Sequence, residues 1–397
     1  MSKEFAEIPL PSFLQTALQA MNINTPTDIQ AKMIPEALAG QTVVARSQTG
    51  TGKTLAYLLP MLAKVKEEEH KTQALVLVPT QELAMQIFEV AKALTAGTNL
   101  TVGTFIGGAN IKRQVEKLKK QKPHVAIGTP GRLLELIELK KLKVQDVTVL
   151  AVDEVDRMRG DAHAWQAFEQ VAKRVGRECQ YLFVSATLPE NFTEQISDYV
   201  SFPVQLEAEG SKLETERVKH YYVTCEERER IDVARKVIHH ENIKRGIVFV
   251  NRLEKVAETT EKLNYRGIKA AALSSDQSKQ EREHALNGFR QGTIQILVAS
   301  DVAARGLDVE DVTHIIQLEA PSQGDMYLHR AGRTGRMGKS GKVITLLSAR
   351  EMFKLKKYET ELGLKLERRF LAYGKLSDQP VKTKQFEQHT SNHKNKR

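Results

Sequence analysis

Cysteine is nearly absent from this 397-residue sequence, with two residues, Cys179 and Cys225. Two thiols cannot form a disulfide framework. Neither stands in a CxxC or Cys/His spacing, so structural zinc is not expected either. Long apolar runs are also missing. The longest, Leu55–Ala63, has nine residues and contains Pro60, against the ~20 needed to cross a bilayer. The N-terminus, MSKEFAEIPL, has no basic stretch followed by an apolar one, so no secretory leader is expected. Tandem repeats of solenoid type are not visible. These absences predict a reduced, cytoplasmic, globular protein. With 41% hydrophobic and 27% charged residues it can build large cores. Its length suggests roughly two or three domains.

The formal charge is +10, unevenly spread. Residues 1–206 carry 23 basic and 22 acidic side chains, residues 207–372 carry 30 and 25, and residues 373–397 carry 6 and 2. Such an excess admits a polyanionic partner. It equally describes a soluble basic protein without one, so the motifs must decide.

Short apolar, β-branched runs recur, each followed by a helix-like stretch. They are Thr42–Ala45, Ala74–Val78, Val125–Gly128, Val147–Val152 and Tyr181–Val184, then Gly246–Val250, Lys269–Leu273, Ile294–Ala299, His314–Leu318 and Val343–Leu347. Continuous runs of this length suit parallel strands buried on both faces. Their alternation with helices predicts an α/β fold of two doubly wound sheets, about five strands each. The polar stretch after Gln205 marks the linker. The predicted division is a first domain over 1–206, a linker over 207–216, a second domain over 217–372 and a basic, disordered tail over 373–397.

Thr42–Ala45 runs into Ser47-Gln48-Thr49-Gly50-Thr51-Gly52-Lys53-Thr54 and then an apolar helix. That strand–loop–helix context is what a phosphate loop requires. Gly50 and Gly52 allow tight turns whose N–H groups surround phosphates. Lys53 brings charge to the β/γ-phosphates, and the Thr54 hydroxyl can ligate Mg²⁺. Ser47 is a small substitute for the usual Gly or Ala. Val147–Val152 ends in Asp153-Glu154. An acidic pair at the end of a buried strand is costly without a partner. Beside a nucleotide, Asp153 would hold Mg²⁺ through water and Glu154 would polarise the attacking water.

With these elements placed, the chain resembles the DEAD-box ATP-dependent RNA helicases of superfamily 2 over about residues 10–350. Thr25–Gln30 (TPTDIQ) is similar to the Q motif, and Phe13 stands seventeen residues before Gln30. The resemblance implies that Phe13 stacks on adenine and Gln30 reads its edge. It implies RNA-backbone contacts at Pro79-Thr80-Gln81, Gly107-Gly108 and Thr129-Pro130-Gly131-Arg132. Asp153-Glu154-Val155-Asp156 matches the naming motif. Ser185-Ala186-Thr187 is similar to the motif coupling ATP state to strand separation, with Asp156 in the same network. In the second domain, Ile247–Asn251, Ala299–Asp308 and His329–Arg336 resemble motifs IV, V and VI. They imply RNA contacts at Asn251, Arg282 and Ser300, nucleotide contacts at Gly306 and Asp308, and arginine fingers at Arg333 and Arg336. His329 would join the network around Asp156. By residue chemistry alone, His329, Arg330, Arg333 and Arg336 crowd four basic groups into eight residues, a ready anion site.

The sequence departs from the family pattern at several places. Val155 replaces Ala, Gln81 replaces Arg, and Asn22-Ile23 replace a Gly-aromatic pair. Ser274-Ser275 and Lys279 replace HG and Gln, and Ser300 replaces Thr. The implied cofactors are ATP and Mg²⁺, and the implied partner is RNA held through its backbone. The chain is expected to act as a monomer, in ribosome assembly, RNA turnover or growth in the cold. Two rival readings stay open: an ATP-gated RNA clamp with little turnover, and a DNA-unwinding motor of the same superfamily. In Ile111–Lys122, Ile111, Val115 and Leu118 mark a buried helix face. Its six basic residues read as a solvated face that a nearby RNA could use.

Overall fold

The computed structural model describes residues 4–47, 51–189, 191–208, 217–274, 276–301, 303, 309, 311–335, 339–372 and 375–379. In the first half the strands are β1 (Val43–Arg46), β2 (Ala74–Leu77), β3 (Val102–Phe105), β4 (Val125–Gly128), β5 (Val149–Asp153), β6 (Gln180–Ser185) and β7 (Val204–Glu207). They form one sheet of order β3-β4-β2-β5-β6-β1-β7. In the second half they are β8 (Val218–Thr224), β9 (Gly246–Val250), β10 (Ala270–Leu273), β11 (Ile296–Ser300), β12 (His314–Gln317), β13 (Gly341–Leu347), β14 (Glu367–Ala372) and β15 (Lys375–Ser377). These form a second sheet of order β10-β11-β9-β12-β13-β8-β14-β15. All pairings are parallel except β14 with β15.

The α/β doubly wound architecture is as expected. Each sheet is covered on both faces. Val43 and Ala45 of β1 enter one apolar cluster and Val44 the other. Leu297 and Ala299 of β11 enter one cluster, and Ile296 and Val298 the other. This two-sided burial makes the central strands read as unbroken apolar runs.

The expected five strands per sheet become seven and eight. The additional strands lack the uniform apolar signature. β7 (VQLE) alternates between half-buried and exposed positions, as an edge strand with a solvated face does. β3 contains Gly103, β8 contains Lys219 and His220, and β14 begins Glu-Arg-Arg. β7 reaches Glu207, the first residue assigned to the linker. β15 lies inside the segment assigned to the tail. The second sheet therefore runs past the boundary placed at 372. Residues 209–216 and 380–397 lie outside the described residues.

Parallel strands bring their carboxyl ends to one rim. In register, Arg46 of β1 meets Ser185 of β6, and Val184 of β6 meets Asp153 of β5. The phosphate loop, the DEVD segment and the SAT segment leave the sheet side by side. Open α/β sheets bind ligands at this rim.

Candidate active site at the domain seam

Gly52 caps the helix Lys53–Lys64 with φ +87°, a conformation that favours glycine. A Cβ there would stand 2.3 Å from the Gln30 amide nitrogen. Gln30 itself is buried. Its Oε1 accepts the Thr27 N–H at 2.8 Å and its Nε2 donates to the Gly52 carbonyl at 3.0 Å. The Q motif is thus bonded directly to the phosphate loop. A carboxamide has two N–H groups and two lone pairs, so one of each is not used by these two bonds. Phe13 lies half-buried on the helix Ser12–Ala20, against the first core. Ser47 and Thr51 share a hydroxyl hydrogen bond at 2.6 Å, and Lys53 Nζ donates to the Ser47 carbonyl at 2.7 Å. The Ser47 N–H donates to the Ser185 carbonyl at 2.9 Å, tying the loop to the SAT segment. Gln48, Thr49 and Gly50 lie outside the described residues.

Asp153 is the last residue of β5 and is buried. Its Oδ1 accepts the Glu154 N–H at 2.8 Å, and its Oδ2 accepts the Tyr57 hydroxyl at 3.1 Å. Burial raises the Asp153 carboxyl to about 6, against the opposing pull of Lys53. Burial also lowers Lys53 from its usual value, although Asp153, Glu154 and Asp156 all act to raise it. The Thr54 hydroxyl also reaches Tyr57. Thr54 and Asp153 therefore face one spot with hard oxygen donors, which suits Mg²⁺. Lys53 does not by itself offset the burial of Asp153, so a divalent cation fits the charge left over. Among the described residues there is no cluster of three or more His, Cys, Asp or Glu that could hold a metal. Mg²⁺ would therefore share its shell with phosphate and water, as it commonly does.

The raised Asp153 has a consequence for stability. An acid whose folded value exceeds its unfolded value destabilises the fold as it ionises. The wild-type ligand-free protein should lose stability relative to Asp153→Asn as pH rises from about 4 to about 6, by roughly 3 kcal/mol at most. Denaturant titrations of both proteins across that window would measure it. A pH-independent difference would show that the carboxyl is not raised.

Glu154 follows in left-handed conformation, φ 51°, and opens the helix Val155–Gly160. Such a backbone in a non-glycine residue costs of order 1–3 kcal/mol. Its carboxylate forms an ion pair with Arg157, both side chains being largely buried. Arg157 Nε has no hydrogen-bond partner among the described residues. The same guanidinium lines a small cavity with Phe249, Asp301, Met326 and His329 of the second domain.

Asp156 is the junction of the seam. Its Oδ2 accepts the Thr187 hydroxyl at 2.7 Å and the Thr187 N–H at 3.2 Å, and lies 3.4 Å from His329 Nε2. Its own N–H donates to Ser185 Oγ at 3.1 Å. Burial would raise the Asp156 carboxyl, but His329, Thr187 and Ser185 together hold it well below the usual carboxylate range. Arg333 is buried, and its charge acts on Lys53 from across the cleft. Gly306, Asp308 and Arg336 lie outside the described residues.

Arg330 departs from expectation. Counted by sequence in an anion-binding loop, it is instead 1% exposed. It donates to both Asp301 carboxylate oxygens at 2.6 and 2.7 Å, to the Glu319 carbonyl at 2.7 Å and to Asn251 Oδ1 at 2.7 Å. It also lies over the Phe249 ring. Four of its five N–H groups are thus bonded within the second domain, so it joins motifs IV, V and VI rather than binding phosphate. Asn251 is used at both ends, since its Nδ2 donates to the Ala320 carbonyl at 3.2 Å. Ser300 is buried, its hydroxyl 3.5 Å from the Ala303 N–H it accepts. Arg282 donates to the Ala303 carbonyl at 2.9 Å. In the second domain these expected RNA contacts are thus engaged internally.

In the first domain the expected RNA residues share one surface. Thr80 caps the helix Gln81–Leu94, and the Gln81 amide approaches the Cβ positions of Gly107 and Gly108 at 3.6 and 3.4 Å. Arg132 donates to the Ala109 carbonyl at 3.0 Å and pairs with Glu135 at 2.9 Å. Pro79, Gly107, Gly131 and Arg132 lie half-buried or exposed along this rim, with Thr129 half-buried and Pro130 buried.

Residues 27–196 match the DEAD/DEAH box helicase family, and residues 229–338 match the Helicase conserved C-terminal domain. The chain is 45% identical over 355 residues to the DEAD-box ATP-dependent RNA helicase CshC of Bacillus cereus, covering 89% of this chain and 90% of that protein. The chain belongs to the DEAD-box ATP-dependent RNA helicases. As a member of these helicases, it is an ATP-hydrolysing enzyme. It is 40% identical to the probable ATP-dependent RNA helicase YfmL of Bacillus subtilis, covering 92% of this chain and 96% of that protein. Its fold superposes on Saccharomyces cerevisiae Dbp5 bound to RNA and ADP BeF3 with a TM-score of 0.84 at 28% identity, covering 93% and 96% of the two chains. Against Dbp5 bound to Nup159, Gle1, IP6 and ADP the TM-score is 0.64 at 26% identity, covering 91% and 95%. In this helicase His329 of the second half approaches Asp156 of the first to 3.4 Å.

Sequence reading missed two residues of this helicase's site. Tyr57 follows Lys53 by four positions, one helical turn, so it lies on the same face. A tyrosine in an otherwise apolar helix segment was the available signal. Arg157 follows Glu154 by three, again a helical neighbour. Its sign opposite the carboxylate was the signal.

Proposed function

We propose that this helicase couples RNA-stimulated ATP hydrolysis to local, non-processive opening of short RNA duplexes or remodelling of RNA–protein complexes. The observation that carries this reading is the seam itself: Asp156 is bonded to Thr187 of the first domain and lies against His329 of the second. One carboxylate thus senses both the SAT segment and the motif VI helix.

In this mechanism the phosphate loop from Ser47 to Thr54 binds the triphosphate, with Lys53 at its β/γ end. Gln30 offers its remaining N–H and lone pair to adenine, and Phe13 offers a stacking face. Thr54 and Asp153 would hold Mg²⁺, which would supply positive charge beside the phosphates. Glu154 takes the proton of the attacking water. Arg333 and Arg336 stabilise the transferring phosphoryl group only when the domains close. Hydrolysis is thereby tied to closure, and closure to RNA. In the first domain RNA is held at Pro79–Gln81, Gly107-Gly108 and Thr129–Arg132, through backbone groups and without sequence choice. Asn251, Arg282 and Ser300 act in the second domain by shaping the motif V turn. The enzyme works as a cytoplasmic monomer on ribonucleoprotein substrates such as assembling ribosomes, or in RNA turnover or growth in the cold.

Strand separation tests this. Duplexes of increasing length with the same overhang should separate with ATP, at rates falling steeply with duplex stability. Length-independent rates would indicate a processive motor. Binding without separation would indicate a clamp.

A further inference from the structure

The helix Ile111–Lys120 is not used by the mechanism above, yet it carries the densest charge of the first domain. Without residues 111–122, residues 1–206 hold 17 basic and 21 acidic side chains, a net negative surface. Within 111–122 there are six basic residues and one acidic, Glu116. The positive charge of the domain is therefore concentrated here.

The helix geometry puts it on one side. At 100° per residue, Ile111, Gln114, Val115 and Leu118 fall within one sector, and these pack against the core. Lys112, Arg113, Lys117, Lys119 and Lys120 fall in the opposite sector and are exposed, as is Lys122 just beyond. None of the six has an ion-pair partner among the described residues. The more buried arginines Arg132, Arg157, Arg230 and Arg330 each hold a carboxylate, so what sets this helix apart is the clustering of its basic side chains on one exposed face. Glu116 is the one carboxylate on this exposed face, which therefore keeps a large positive excess that a polyanion would offset.

Position indicates which polyanion. Asn110 caps this helix, its Oδ1 accepting the Lys112 N–H at 2.9 Å. Two residues earlier is Gly108, and Ala109 is held by Arg132. The helix therefore springs from the surface assigned to RNA. Following β3, it runs back along the sheet for about 15 Å, away from the nucleotide cleft.

We propose that this face binds the phosphate backbone of RNA flanking the segment gripped by the two domains, anchoring substrate beside the point of strand opening. The proposal rests on the RNA-helicase reading. The contacts would be to phosphates and sequence-independent.

The test uses full-length protein and a variant with Lys112, Arg113, Lys117 and Lys120 all changed to Gln. These side chains are exposed, and circular dichroism checks that the fold is kept. ATPase stimulation is titrated with two RNAs at several salt concentrations. One is a single strand long enough only for the core site, and the other adds a duplex flank. With flanked RNA, the half-stimulating concentration should rise about tenfold or more, and the salt slope should fall by about one for each phosphate no longer neutralised. With the short strand, both should stay within about twofold, and the maximal rate should be unchanged. Equal losses with both RNAs would place the helix in the core site and overturn the proposal. Unchanged values with both would overturn it too, leaving an acidic protein as the occupant. Absence of RNA stimulation in the wild type would instead defeat the underlying reading.

Discussion

Replacing Glu154 by Gln should lower ATP turnover by about 10²- to 10⁴-fold while ATP and RNA binding stay near wild type. The amide is isosteric, and its oxygen can still accept from Arg157. It cannot take a proton from water. The phosphate loop is held by its own bond, from Lys53 to the Ser47 carbonyl at 2.7 Å. Turnover and nucleotide affinity should therefore separate. The check is the turnover number beside the dissociation constant of a fluorescent ATP analogue. A variant within tenfold of wild-type turnover would remove Glu154 as the base.

The largest stability effect is expected at Arg330. Arg330→Met removes the partner of the Asp301 carboxylate and strips hydrogen bonds from the Glu319 carbonyl and Asn251 Oδ1. Breaking a buried pair from one side costs about 3–5 kcal/mol, and because Asp301 is half-buried the loss should fall toward the lower end of that range. The methionine fills similar space, so little of that loss is a cavity. Denaturant unfolding of the variant should show it, and Asp301→Asn in the same chain should recover part of it. A loss under about 1 kcal/mol would be that of an exposed pair and would contradict the inward-facing network.

These two residues also show what a sequence can and cannot disclose. Glu154 was legible because its chemistry needs a local arrangement: a strand end, a neighbouring carboxylate and a phosphate loop. Gly52, Lys53 and Thr54 were legible for the same reason. Arg330 was misread because its partners Asp301, Asn251 and Glu319 are 29, 79 and 11 residues away. Nothing in the run HRAGRTGR distinguishes a guanidinium that turns inward from Arg333, which faces the cleft. Central strands were legible because burial on both faces demands unbroken apolar runs. β7, β14 and β15 were not, since a strand near a sheet edge keeps polar residues on an open face. Gln30 lay between these cases. Its place beside the nucleotide followed from the resemblance, but its bond to the Gly52 carbonyl required the structure.

The most direct measurement is ATP hydrolysis by the full-length protein with RNA, with DNA of the same sequence and length, and with neither. RNA should raise turnover well above the basal rate, and DNA should leave it near basal, if the domains close productively only on the ribose backbone as proposed. Equal rates under all three conditions, or equal stimulation by DNA, would contradict closure on RNA as the trigger for hydrolysis.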